Sequence, residues 1–176
     1  MFALFLCGLF IQVPGLKYFL YEYELQLAEG QGQPVRVTWD DIEGKRLENT
    51  IEHILPQTAN KRYWTSRFDK KARRKYTHDL GNLCLTYNNS SYGNKPFSEK
   101  KQQDDLDKRS YANSTLFQER RLTFFVDWDV SALEKRRVEI VKWALERWRV
   151  AHAAPEPPEP EEVDEEVTDE YISVVV

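Results

Sequence analysis

The sequence predicts an α+β domain in which two short strands and a helix form a small core, with further helices on either side of it in the chain. Three observations predict this class. A short apolar run at 49–55 leads to Pro56, a second apolar run at 83–87 follows Gly81 and Asn82, and helical periodicity marks the stretches before and after these runs. With 176 residues, 41% apolar and 13% aromatic, the chain is long enough to bury one core.

The helices follow from apolar spacing and cap residues, taken in chain order. The first is predicted over 16–28 and ends before Gly30, because its apolar residues recur at helical spacing: Leu16, Phe19, Leu20, Tyr23 and Leu27. A basic helix is predicted over 60–76, and a helix over 97–106 closes the small core. The last helix is predicted to run from a cap at Asp129 through Trp148.

The two ends of the chain differ in composition from its middle. Residues 1–13 are apolar but too few to cross a bilayer, which takes about 20 residues, so we expect them to pack in the core or to be the cut end of a longer chain. Residues 151–176 form an acidic, proline-rich tail with the composition of disorder. A folded domain is therefore expected over 14–150.

Net charge points to a polyanionic partner. The whole chain carries −4, but nine acidic residues lie beyond Ala154, which leaves 20 acidic and 25 basic residues before that point. Two cysteines far apart, Cys7 and Cys84, favour a reducing compartment, so we expect a cytoplasmic protein without a membrane span.

A histidine follows an acidic residue where the first strand ends. Glu52 and His53 lie within the stretch I-E-H-I-L-P-Q at 51–57. Histidine can accept a proton near neutral pH because its ordinary pKa is about 6.5. The pattern predicts His53 as a general base that activates water for phosphodiester hydrolysis, and the alternative is a structural histidine.

Oxygen donors near this histidine predict a site for a divalent ion, Mg²⁺ or Mn²⁺. Glu52 supplies a carboxylate and Asn89 an amide oxygen, with Asn88 and Asn94 as rivals to Asn89. The alternatives are a surface or salt-bridged carboxylate for Glu52 and a turn residue for Asn89. Neighbours on a regular strand point to opposite faces, so this prediction requires the strand to end between Glu52 and His53.

A second motif, H-D-L-G-N-L-C-L at 78–85, leads into the second strand. Its Asn82 is predicted to brace the site by bonding the backbone of the loop that carries His53. His78 either contacts phosphate or shapes the entry to the strand.

These pieces resemble the HNH, or His-Me finger, nucleases, and more closely the nuclease module of GmrSD-type, modification-dependent restriction systems. The matching pieces are I-E-H-I-L-P-Q at 51–57, H-D-L-G-N-L-C-L at 78–85, N-S-S-Y-G-N-K-P-F at 89–97 with Lys100, and the stretch 128–148. Together they cover roughly residues 14–150. The resemblance implies a ββα-metal core with flanking helices and a metal-dependent endonuclease that cuts DNA in the restriction of foreign DNA.

The resemblance also implies roles for single residues. His53 would be the general base, Asn82 the middle asparagine, and Glu52 and Asn89 the metal ligands. GmrSD-type proteins pair this module with a ParB-like, NTP-hydrolysing domain. The sequence has no glycine-rich phosphate loop, so we expect any such NTPase domain on another chain or in a lost N-terminal half.

The basic stretch is predicted to contact the DNA backbone, with a solvated helix face as the alternative. Its residues, with one lysine further along the chain, are Lys61, Arg62, Arg67, Lys70, Lys71, Arg73, Arg74, Lys75 and Lys95. Lys100 and Lys101 are expected to extend this surface. Two further functions stay open: a nucleic-acid-binding module without catalysis, and a fragment that needs its NTPase partner for activity.

Overall fold

The computed structural model describes residues 15–34, 36–46, 50–87, 89–102 and 108–149, with residue 89 described by its backbone only. Its helices are α1 (Leu16–Glu29), α2 (Asp40–Glu43), α3 (Arg62–Thr65), α4 (Lys70–Tyr76), α5 (Phe97–Lys101), α6 (Phe117–Leu122) and α7 (Val130–Arg147). The strands are β1 (Ile51–His53) and β2 (Leu83–Leu85), and short 3₁₀ turns lie at Leu80–Asn82 and Asn89–Ser91. This mixture of helices with a two-stranded sheet is compatible with the predicted α+β class. The predicted segments 1–13 and 151–176 lie outside the described residues.

Strands β1 and β2 form one antiparallel pair. Its register joins Ile51 to Leu85, Glu52 to Cys84 and His53 to Leu83. Ile51 and Leu85 pack in one apolar cluster, and Cys84 packs in another on the opposite side of the sheet. Because side chains alternate along a strand, Glu52 points to the side of Cys84 and His53 to the side of Ile51.

The largest apolar cluster is built mainly from aromatic side chains that are contributed by loops and short helices. Its buried aromatic residues are Trp64, Phe68, Tyr76, Tyr92, Phe97, Tyr111 and Trp128. Phe97 stacks on Trp128 with ring centroids 5.5 Å apart, and such rings bury much area. This cluster covers the Glu52 side of the sheet, whereas α1 covers the other side through Leu16 and Leu20.

Helix α6 is tied to α1 by a buried carboxylate at its first turn. Glu24 of α1 accepts hydrogen bonds from the backbone amides of Phe117 and Gln118, which are unpaired donors at a helix start. The side chain of Gln118 in turn donates to the carbonyl of Leu20 over 2.7 Å. These bonds hold the α1 side of the sheet in place.

The predicted basic helix over 60–76 is wrong as a single element. The chain forms α3 and α4 instead, separated by 66–69, in which the side chain of Phe68 is fully buried. Asp69 begins a new helix, because its carboxylate accepts a hydrogen bond from the amide of Ala72 over 2.6 Å. Burial of Phe68 and this cap together outweigh the continuous helical propensity of the segment.

The final helix α7 begins where the sequence predicted, with the carboxylate of Asp129 bound to the amide of Ala132 over 2.9 Å. It packs against the 3₁₀ turn that leads into β2. A Cβ atom on Gly81 would lie 2.5 Å from the carbonyl oxygen of Leu133, so the contact needs glycine. Arg136 fixes the same turn, donating from Nη1 to the carbonyl oxygens of Gly81 and Leu83 over 2.8 and 2.9 Å.

In the part of the chain that the structure describes, none of the helices has the length and apolar character needed to cross a membrane.

Candidate functional site

The loop after β1 is held by the side chain of Asn82. Its Oδ1 accepts hydrogen bonds from the amide of Leu55 over 2.7 Å and from Nε1 of Trp128 over 3.2 Å. Its Nδ2 donates to the carbonyls of Leu55 and Thr77 over 2.9 and 2.8 Å. Asn82 is fully buried, and these bonds are those that a brace for the loop beyond His53 requires. Its contribution to catalysis stays a prediction.

His53 ends β1, and its imidazole has two polar neighbours from different parts of the chain. Its Nε2 lies 3.2 Å from Nδ1 of His78, which follows α4. The side-chain nitrogen of Gln57 lies 3.3 Å from Nδ1 and 3.4 Å from Nε2 of His53. His53 is 8% exposed, while His78 is half-buried and Gln57 exposed, so the group forms the edge of the core rather than its centre.

Both imidazoles are neutral at neutral pH. Burial, the neighbouring His78 and the charge of Lys100 lower the pKa of His53 to about 4. Burial also lowers the pKa of His78. A neutral imidazole has a free lone pair with which it can accept a proton or bind a metal ion.

The structure gives Glu52 a different environment from the one its predicted role requires. Glu52 as a residue is 1% exposed, and its carboxylate accepts hydrogen bonds from Lys100 Nζ over 2.7 Å and from the hydroxyl of Tyr111 over 3.0 Å. Lys100 is itself fully buried and also donates to the carbonyls of His53 and Ile54. The strand continues through His53, so alternation turns the carboxylate into the core, and the geometry favours the salt-bridged alternative over a metal ligand.

Burial acts on both members of this ion pair. It raises the pKa of Glu52 and lowers that of Lys100, and each partner opposes the shift of the other. The expectation that Lys100 extends a DNA-binding surface is wrong, because its ammonium group is enclosed by Glu52 and two carbonyls. Lys101 donates to the carbonyl of Phe125 over 2.9 Å.

The other predicted metal ligands are described in part. Asn89 begins a 3₁₀ turn, but its side chain lies outside the described atoms, and Asn88 lies outside the described residues. The rival Asn94 donates from its amide to Oδ1 of Asn60 over 2.6 Å. Among the described residues, no group of three or more His, Cys, Asp or Glu side chains is placed to hold a metal ion.

The predicted DNA-binding residues divide into two groups. Exposed side chains are those of Lys61, Arg62, Lys70, Lys71, Arg74 and Lys75, and partly exposed ones are those of Arg67, Arg73 and Lys95. Arg67 is held by an ion pair with Asp127 over 2.6 Å and lies 3.7 Å from the ring centroid of Tyr63. Arg73 donates to the carbonyl of Phe68 over 2.6 Å. Arg67 and Arg73 therefore have structural partners, and so does Lys75, which donates to the hydroxyl of Tyr76 over 2.8 Å. The other exposed residues of α4, Lys70, Lys71 and Arg74, face solvent.

Several residues of the site were not predicted in the roles that the structure gives them. Gln57 and His78 contact the imidazole of His53, Lys100 and Tyr111 hold Glu52, and Trp128 donates to Asn82. The positions of Gln57 in the first motif and of His78 in the second could have suggested their contacts, whereas Lys100, Tyr111 and Trp128 are distant in sequence and have ordinary spacing.

The comparison with family models places this chain in a known class of protein. The fold is a small α+β domain with a histidine at the end of its first strand and a bracing asparagine before its second. Residues 12–143 match the model of the GmrSD restriction endonucleases, C-terminal domain, and the match covers more than half of the 176 residues. The chain belongs to this family, as its motifs predicted, and it is therefore a domain of the restriction-endonuclease-related nucleases. Comparisons with curated proteins and with solved structures gave no match.

Proposed function

We propose that this chain hydrolyses phosphodiester bonds of DNA as an HNH-type endonuclease, with His53 as the general base, in the restriction of foreign DNA. The observation that carries the proposal is a neutral imidazole at the end of β1, directly before a loop held by Asn82, within a chain of a nuclease family. His53 is buried by the core on one side, and on the other side its neighbour His78 is only half-buried. His53 therefore lies at an edge of the core that a substrate can approach.

In this mechanism the protein contributes His53 as proton acceptor, the backbone contacts that orient His53, and a basic surface that binds the DNA backbone. Neutral His53 takes a proton from the attacking water while the water oxygen forms a bond to phosphorus. The bond from phosphorus to the leaving sugar oxygen breaks at the same time, and that oxygen takes a proton from solvent water. The hydrogen bonds of Asn82 to Leu55 hold the backbone on one side of His53, and pairing with Leu83 in β2 holds it on the other. Exposed lysines and arginines of α4 attract phosphates without reading the sequence.

Dependence on Mg²⁺ or Mn²⁺ is part of the proposal because nucleases of this kind use a divalent ion. The described residues do not form the expected ligand set, because the carboxylate of Glu52 is engaged by Lys100 and Tyr111. No catalytic step is therefore assigned to the ion, and a ParB-like NTPase on another chain stays an expectation from the family resemblance.

One observation favours a second candidate function. A carboxylate that is enclosed in the core with a lysine suits a module that binds nucleic acid but does not cut it. Such a module would keep the exposed basic residues of α4 and would not need His53.

A plasmid-nicking assay on the full chain separates these functions. It compares wild type with His53→Ala in Mg²⁺ and in Mn²⁺, with EDTA as the metal control and circular dichroism as the control for folding. Nicking that requires metal and is lost in His53→Ala is the expected result. A folded wild-type protein that binds DNA and nicks in neither metal would overturn the nuclease proposal in favour of the binding module.

A further inference from the structure

Two histidines that are 25 positions apart in sequence meet at the edge of the core. Nε2 of His53 and Nδ1 of His78 are separated by 3.2 Å, and the planes of the two rings are 84° apart. His53 is fixed on β1 by its pairing with Leu83. His78 is fixed by its neighbour Asp79, whose carboxylate accepts hydrogen bonds from the amide of Gly81 and from Arg137.

We propose that His53 and His78 together chelate a transition-metal ion of the Zn²⁺ class, and that the bound ion inhibits the nuclease by occupying His53. The inhibition rests on the proposed function, because it requires His53 to be the general base. The chelation does not, because it depends only on the two imidazoles.

The separation of the two nitrogens fits a shared ion. Zn²⁺ binds histidine nitrogen at about 2.0–2.1 Å, and two nitrogens at that distance with tetrahedral angles lie about 3.3 Å apart. Small rotations of the rings direct both lone pairs to one point. A histidine binds a metal ion through a ring nitrogen that carries no hydrogen, and a neutral imidazole can present either of its nitrogens in this form by a change of tautomer.

The neighbours of the two rings can complete the coordination. The side-chain amide of Gln57, an exposed residue, lies 3.4 Å from Nε2 of His53, and with its oxygen and nitrogen exchanged it presents an oxygen donor to an incoming ion. Glu52 balances the charge of Lys100 on the other side of the sheet. Water on the exposed side of His78 would supply the remaining ligand.

The donor set selects the kind of ion. Two imidazoles and an amide suit Zn²⁺, Ni²⁺, Cu²⁺ and Co²⁺, whereas Mg²⁺ prefers oxygen ligands. The site is therefore distinct from a site for the catalytic Mg²⁺ or Mn²⁺. An ion that binds here removes the lone pair with which His53 accepts a proton from water.

The first test measures Zn²⁺ binding to the full chain by competition with a chromophoric chelator. Wild type is expected to bind one equivalent. His53→Ala and His78→Ala are each expected to bind at least about tenfold more weakly, since the loss even of a residue that supports a metal ligand costs that much. His152→Ala, which removes the third histidine, serves as the matched control and should bind like wild type. Wild type without a bound equivalent, or His78→Ala as tight as wild type, would overturn the proposal.

The second test adds Zn²⁺ to the nicking assay in excess Mg²⁺. Wild type should lose activity as the site fills, and His78→Gln should need about tenfold more Zn²⁺ for the same loss. Failure of the two proposals can be told apart. A protein that binds Zn²⁺ through both histidines but nicks no DNA in Mg²⁺ or Mn²⁺ contradicts the nuclease, and one that nicks without binding Zn²⁺ contradicts the chelate. Circular dichroism of each variant excludes unfolding as the cause.

Discussion

At the scale of single residues, the ion pair between Glu52 and Lys100 places two opposite charges in the core of the protein. Both side chains are almost completely buried, 0% and 2% exposed for the lysine and the glutamate. Two charges removed from water are tolerated only when they are paired and hydrogen-bonded, and here Tyr111 and two carbonyls complete the bonding. The pair therefore fixes α5 against β1.

Replacing Lys100 by methionine is expected to lower the free energy of unfolding by about 3–5 kcal/mol, because Glu52 is then buried without its counter-ion. The double variant Glu52→Leu, Lys100→Met should recover most of this loss, since it leaves neither charge in the core. Urea unfolding followed by tryptophan fluorescence measures both. If Glu52 is instead a metal ligand, Glu52→Gln should abolish nicking while leaving the urea midpoint close to that of wild type.

Glu119 gives a pH dependence of stability. Burial raises its pKa to about 7 from the ordinary value of 4.5, against the effect of nearby hydroxyls of Ser114 and Thr86. The folded protein therefore holds a proton that the unfolded chain releases above pH 4.5. Protonated Glu119 contributes about 3 kcal/mol to the free energy of unfolding. This contribution is fully present below pH 4.5 and is lost as the pH rises through 7.

Glu119→Gln is expected to be more stable relative to wild type at pH 8 than at pH 5. Burial of neutral His53 acts in the opposite direction, since its lowered pKa favours the folded state at higher pH. The difference between wild type and Glu119→Gln removes that common effect. Urea unfolding of both proteins at a series of pH values measures the difference in their free energies of unfolding. If this difference does not change between pH 5 and 8, the raised pKa of Glu119 is contradicted.

At the scale of secondary-structure elements, the packing of α7 on the 3₁₀ turn positions the entry to β2. Gly81 allows the backbones to approach, Arg136 bonds the carbonyls of the turn, and Arg137 pairs with Asp79 over 2.8 Å. Because Asn82 lies in this turn, α7 indirectly fixes the brace of the candidate site. The geometry near His53 therefore depends on α7 as well as on the two strands and α5.

Gly81→Ala should therefore destabilise the protein by about 1–3 kcal/mol, as overpacking of a close contact does. Its new methyl group would meet the carbonyl oxygen of Leu133 at 2.5 Å and Cβ of Arg137 at 2.9 Å. Gly44→Ala is the matched control, because its φ is −75° and its Cβ would meet nothing within 4 Å. Thermal unfolding measures the melting temperatures of both variants, and that of Gly81→Ala is expected to be lower. Equal melting temperatures would contradict the prediction and show that α7 can move away from residue 81.

At the scale of the whole molecule, the distribution of charge decides how DNA can approach. The net charge of the chain is negative because nine acidic residues lie beyond Ala154, whereas basic residues outnumber acidic ones in the rest of the chain. Helix α4 presents exposed lysine and arginine side chains. Contacts with phosphate release counter-ions, so affinity depends on salt concentration. Since Arg67 and Arg73 have partners within the protein, we expect the exposed residues of α4 to supply most of the binding.

The double variant Lys71→Gln, Arg74→Gln should lower the slope of log affinity against log salt by about 1.8, which is two phosphate contacts at about 0.9 each. Lys135→Gln, Lys142→Gln on α7 changes the net charge by the same amount and is expected to keep the slope of wild type. Both control residues are exposed. Fluorescence anisotropy with a labelled duplex at several salt concentrations measures the slopes, and equal slopes for the two variants would mean that DNA does not bind at α4.

Much of the fold was predictable because its signals are local. The caps and apolar spacing predicted α1 and α7, and the two apolar runs predicted both strands, although each strand is shorter in the structure. Breaks that depend on burial were not predictable. The side chain of Phe68 enters the aromatic cluster and divides the basic segment into two helices, which spacing alone does not indicate.

The sequence by itself determined the family of this protein and pointed to His53 and Asn82 in its candidate site, because the motifs around these two residues are contiguous. Only the tertiary structure decided what each side chain contacts. Alternation on β1 turned Glu52 into the core, and Lys100 met it from a helix 48 positions away. His78 came within 3.2 Å of His53 through the folding of α3 and α4 between them. Such contacts depend on distances in space, which residues far apart in sequence do not reveal.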